Sequence, residues 1–175
     1  LAWSSTFNYT RGDGYYENYK AGKSFSKYLM PSPIVGGVQY DEGDFITKEA
    51  LANDYFVLNS DLRYNSELLN LTAGINLSRY DGDHIGSVLW SDVLGDSFDY
   101  AGHQWYLNNG LKHEANAFVR GEMHVSRSLT AYADLQYRGV WLNMSGPEDD
   151  GVLLDHKDDW QFFNPRAGLS FRWNP

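Results

Sequence analysis

The chain has 175 residues, no cysteine, and a formal charge of -9 at neutral pH. That length allows one domain with a core of useful size, and the lack of cysteine excludes disulfide stapling and thiolate metal sites. The acidic balance, with no basic cluster to interrupt it, argues against a phosphate-backbone binder, so no nucleic-acid partner is expected.

Leu1, Trp3, Phe7 and Tyr9 alternate with Ala2, Ser4, Thr6 and Asn8, and period-two patterning predicts a strand with one apolar face. The alternation starts at the first residue, as expected of a section of a longer chain. It ends at the turn-like Arg11-Gly12-Asp13-Gly14. An irregular stretch over 11–53 follows and reads as a long loop. The next hairpin spans 54–80: Phe56, Leu58, Leu62 and Tyr64 share one face, and Leu69, Leu71, Ala73, Ile75 and Leu77 share one on the return, around a short turn at 65–67. A second long connection covers 81–110.

The most regular hairpin runs over 111–141. Leu111, Ala115, Ala117, Val119 and Met123 lie on one face, opposite Arg120 and Glu122. After the turn at 126–128, Leu129, Ala131, Ala133, Leu135, Tyr137 and Trp141 lie opposite Asp134 and Arg138. If that turn aligns Val125 with Leu129, Arg120 stands opposite Asp134 and Glu122 opposite Tyr132. A third loop covers 142–161, and Phe163, Ala167, Leu169, Phe171 and Trp173 mark a last strand. The whole predicts six long strands in one antiparallel meander, with short turns at one end and long loops at the other. The long loops carry most of the acidic residues. Strands of soluble proteins average about 5–6 residues, and these are far longer, near the roughly 9–11 residues of a membrane-crossing strand with aromatic rims.

No hydrolase elbow, P-loop, dinucleotide fingerprint or HExxH motif is present. The five histidines are scattered, and Asp81/Asp83 and Glu148-Asp149-Asp150 lack the spacing of an EF-hand loop. Neither enzyme activity nor a cofactor or metal is expected. The aromatic side chains of the loops, Tyr15, Tyr16, Tyr19, Tyr28, Trp90, Tyr100, Trp105 and Tyr106, are the candidate ligand contacts, because rigid amphipathic rings bind flat or sugar-like ligands. Packing of the loops against one another accounts for them equally well.

The stretches SRYDGDHIGSVLW (78–90), YLNNGLKHEANAFVRGEM (106–123), LTAYADLQYRGV (129–140) and FFNPRAGLSFRWNP (162–175) resemble TonB-dependent outer-membrane receptors of Bacteroidetes type. The resemblance implies part of a transmembrane barrel of about 22 strands, without the plug domain or TonB-contacting box. It implies outer-membrane lipid, the plug, the remaining strands and TonB as partners. It also implies a multi-pass location in a Gram-negative outer membrane, and energy-coupled import of a siderophore, haem, cobalamin or oligosaccharide. Arg120, Glu122, Asp134 and Arg138 would then face the lumen or plug, and ligand recognition would sit at the long-loop end. The alternative is a soluble, secreted β-sheet module that binds carbohydrate or another protein.

Overall fold

In the computed structural model, which describes residues 1–100 and 102–173, the alternating stretches become strands much longer than their apolar patterning marks out. These are β1 (Ala2–Ser24), β4 (Glu42–Asn65), β5 (Leu69–Ser91), β6 (Gln104–His124), β7 (Leu129–Pro147) and β8 (Leu153–Phe171). They form one sheet in the order β1-β4-β5-β6-β7-β8, every pair antiparallel and adjacent in sequence among the long strands. A second sheet is a minimal hairpin of β2 (Ile34–Val35) and β3 (Val38–Gln39) within the β1–β4 connection.

The connections are correspondingly shorter than expected. Those read over 11–53, 81–110 and 142–161 contract to 25–41, 92–103 and 148–152. Past Gly12 the strands lose the apolar alternation but keep pairing, because polar cross-strand contacts replace apolar ones. Tyr16 donates to Glu49, and Tyr19 to Asp44. Both short turns use the same chemistry. Ser66 Oγ accepts from the Leu69 N–H at 3.0 Å, and Ser126 Oγ from the Leu129 N–H at 3.1 Å, a serine turn that fixes the register of its hairpin.

That register is the one expected across 126–128: Arg120 pairs with Asp134 and Glu122 with Tyr132. It also sorts the faces. One row runs Phe7, Leu58, Leu77, Ala115 and Gly139; the row beside it, on the other face, runs Thr6, Asn59, Asn76, Asn116 and Arg138. The apolar face is open: Trp3 is 75% exposed, Phe7 64% and Phe163 63%.

The expectation of a transmembrane barrel section is corrected by this topology. The sheet is open, with β1 and β8 as its two edges, paired only with β4 and β7 respectively among the described residues. Long strands and unequal connections follow from chain-adjacent hairpin pairing alone. Closure is a separate property, since it requires the edges to find each other.

The only cluster of fully buried apolar residues identified among the described residues lies at one end of the polar face. Phe25, Tyr28 and Met30, from the turn after β1, pack on Phe45, Val88 and Trp105. The Phe45 ring is 4.9 Å from Phe25 and 4.6 Å from Tyr28, and Tyr28 is 5.1 Å from Trp105. His103 Nε2 donates to the Tyr28 carbonyl at 2.7 Å, closing this cap from the β5–β6 connection.

Candidate functional site

Three β-bulges lie beneath the cap: one in β5, where Ile46 pairs with Trp90 and Thr47 with Val88 so that Leu89 is extra, and two that bring the cavity side chains together. The first of these two is in β1, where Lys20 pairs with Phe45 and Lys23 with Gly43. Strict alternation would put residues 20 and 23 on opposite faces. One extra residue, with Ala21 and Gly22 together against Asp44, brings both lysines to the polar face. Gly22 takes φ +57°, a left-handed conformation that favours glycine, and its N–H donates to Asp44 Oδ1 at 2.8 Å. The hydrogen bond from Tyr19, followed by that from Gly22, holds the Asp44 carboxyl below the usual carboxylate range.

The second bulge is in β6, where Gly86 pairs with Tyr106 and Ser87 with Gln104, leaving Trp105 as the extra residue. Both rings crowd onto Gly86: a Cβ there would meet Tyr106 at 2.2 Å and Trp105 at 2.7 Å. Glycine is therefore required for this close approach.

Between these features lies a cavity of about 610 Å³ on the polar face. Lys20, Lys23 and Lys27 stand along it with Thr47, Glu49, His84, Trp105, Tyr106 and Asn108, and Glu148 and Asp149 from the β7–β8 turn also line it. Burial above all, then Glu49, Tyr16 and Asp149, pushes the Tyr106 hydroxyl up to about 12, so it remains a protonated donor at neutral pH. The Tyr16 hydroxyl is raised as well, chiefly by its hydrogen bond to Glu49. Thr47 is 1% exposed, and its Oγ1 has no hydrogen-bond partner.

The structure divides the aromatic candidates. Tyr106 lines the cavity, and Tyr16 reaches Glu49 from the neighbouring strand. Trp105 and Tyr28 also line it but are 4% and 2% exposed, so they build its wall as part of the core. Tyr100 is used internally: its hydroxyl accepts from the Ser91 N–H at 3.1 Å and donates to the Gly95 carbonyl at 2.9 Å. Tyr15, Tyr19 and Trp90 fall by register on the opposite face, where Lys48 Nζ sits 4.0 Å from the Tyr15 ring centroid.

Arg120, Glu122, Asp134 and Arg138 all lie on the polar face, further down the strands. Arg120 Nη2 donates to Asp134 Oδ2 at 3.1 Å, and Arg138 Nη2 to Glu114 Oε2 at 2.7 Å. Glu114 is held below its ordinary value, first by the hydrogen bond from Lys112 and further by Arg138. No three His, Asp or Glu side chains gather as a metal site among the described residues.

Sequence reasoning missed Lys20, Lys23, Lys27 and Thr47. The available signal was that half of the chain's lysines fall within 20–27 of an otherwise acidic chain.

No family model and no curated protein matches the chain. The likeness to TonB-dependent receptors thus gains no support beyond the stretches that suggested it. Those stretches are long alternating strands with aromatic ends, a pattern antiparallel hairpins produce generally. Import through a barrel, the lipid, plug, TonB and barrel-strand partners, and the outer-membrane multi-pass location fall with that likeness and with the open sheet.

Proposed function

We propose that the chain is a β-sheet binding module that takes a carbohydrate ligand in the cavity at the capped end of its polar face. The observation that carries this reading is the cavity itself. Its volume, about 610 Å³, falls in the roughly 300–1,000 Å³ range of small-ligand sites. Its lining mixes a tyrosine ring with hydroxyl, amide, carboxylate and ammonium groups, suited to the face and hydroxyls of a sugar. The reading is one of binding without turnover. Calorimetric titration of neutral and acidic oligosaccharides against the chain and its Tyr106→Ala variant tests it. Saturable binding that the variant weakens at least tenfold is expected; no binding to any sugar would refute it.

A second reading, docking to another protein, is favoured by the open apolar face carrying Trp3, Phe7, Leu58 and Leu77, since extended exposed apolar surfaces mark interaction sites. It expects Leu77→Glu to abolish a protein complex while leaving sugar titrations unchanged.

A further inference from the structure

We propose that the cavity's ligand is an acidic saccharide, whose carboxylate or sulfate ester is met by Lys20, Lys23 and Lys27. This rests on the carbohydrate reading above and specifies the chemistry of the ligand.

The first observation is a set of lysines outside any ion pair. In a chain of net charge -9, three lysines converge on one cavity, and none takes part in an ion pair among the described residues. Their convergence is built by the fold: the Gly22 bulge turns Lys23 to the face of Lys20, and the turn of Phe25–Tyr28 folds Lys27 over the same end. Glu49, Glu148 and Asp149 line the same cavity, yet no ion pair engages the three ammonium groups, so they stay available to an anionic ligand group.

The second observation is Thr47 at the same cavity, nearly fully buried with an unpartnered hydroxyl. A buried polar group without a partner costs roughly 1–3 kcal/mol. A ligand oxygen supplies the acceptor that the protein does not.

The remaining lining limits the ligand to one acidic portion. Glu49 is already engaged by the Tyr16 hydroxyl, while Glu148 and Asp149 add carboxylates to the same cavity. Carboxylates accept from sugar hydroxyls but repel a second anionic group. A neutral hydroxylated body with an acidic substituent satisfies both requirements, whereas a densely charged polyanion does not.

The test is calorimetric titration with a tetrasaccharide of three galactoses and one galacturonate, a singly sulfated galactotetraose and neutral galactotetraose, at low and high salt. The expected result is that at least one acidic sugar binds tenfold or more tighter than the neutral one, with the advantage shrinking as salt screens it. The arm that binds more tightly identifies the carboxylate or the sulfate. The combined Lys20→Gln, Lys23→Gln, Lys27→Gln variant is expected to lose the preference. The corresponding triple arginine variant is expected to retain it, which separates charge from folding, and Lys157→Gln serves as a control that keeps it. Equal affinity for all three sugars, or a preference that survives the triple glutamine variant, overturns the acidic assignment and leaves the binding-module reading standing. Absence of binding to every sugar overturns both.

Discussion

Replacing Phe45 with alanine should detach the cap from the end of the sheet while leaving the rest of the meander folded. Phe45 is 0% exposed, and its ring meets both Phe25 and Tyr28. Truncation of such a phenylalanine costs about 3–5 kcal/mol, a figure that already includes the lost ring contacts and the cavity left behind. Few other contacts hold the cap: Tyr28 meets the Trp105 ring, His103 Nε2 donates to the Tyr28 carbonyl at 2.7 Å, and the Phe25 N–H donates to the Asp41 carbonyl at 3.1 Å. The loss therefore falls on local opening. At about 1.4 kcal/mol per tenfold, the Leu29 and Met30 amides should exchange with solvent a hundredfold to a few thousandfold faster, up to the limit set by full opening. Hydrogen exchange read by NMR on the intact chain measures this, with strand amides near Arg120 and Ala133 as the internal reference. Leu135→Ala, at a site already 45% exposed, should change exchange little anywhere. Acceleration of less than tenfold at Leu29 and Met30, or equal acceleration in the middle of the sheet, would refute a cap held by this cluster.

Gly86→Val should push the Tyr106 and Trp105 rings out of place and lower sugar affinity at least tenfold; unchanged affinity with a folded sheet would show that ring placement is immaterial. Because the folded Asp44 carboxyl is held below its ordinary value, its contribution is complete above the ordinary carboxylate range and is lost as pH falls through the folded value. Protection of the Gly22 amide should accordingly fall on acidification and lose that dependence in Asp44→Asn; identical pH profiles would break the link. A double-mutant cycle on Arg120 and Asp134 should give a coupling of about 0.2–1 kcal/mol, since the Arg120 side chain is 60% exposed; a value above about 2 kcal/mol would require a drier site. Gly146→Ala should destabilise the β6–β7 pair, because a Cβ at φ +108° would lie 2.4 Å from the Leu107 carbonyl oxygen; thermal melting unchanged within a degree would contradict that geometry.

The meander and the register of its hairpins were legible because apolar alternation and the serine turns at Ser66 and Ser126 act locally. The outer halves of the strands were not. Around Tyr16, Glu49 and His84 both faces are polar, so alternation carries no signal, and only cross-strand pairing reveals a strand. The cavity was illegible for a related reason: the bulges at Gly22 and Trp105 reset parity, so Lys20 and Lys23 look divergent in sequence and converge in space. Aromatic content carried no signal of which face a residue takes. Tyr15, Tyr19 and Trp90 lie on the far face, and Tyr100 satisfies backbone groups of its own connection. The barrel expectation failed on closure, which no single strand encodes.

The strand order has a consequence for how the molecule comes apart. Among the described residues each long strand pairs only with the long strands next to it in the chain, so the sheet has the energetic structure of a linear array, with a term for each strand and a term for each seam. Loss can begin at either free edge and travel inward. The β8 edge has a stretch from Gln161 to Phe171, at the end away from the capped turn, that is exposed throughout. Unfolding should therefore be graded, with β8 the first strand to peel away and β4 and β5, seamed on both sides beneath the cap, the last to let go.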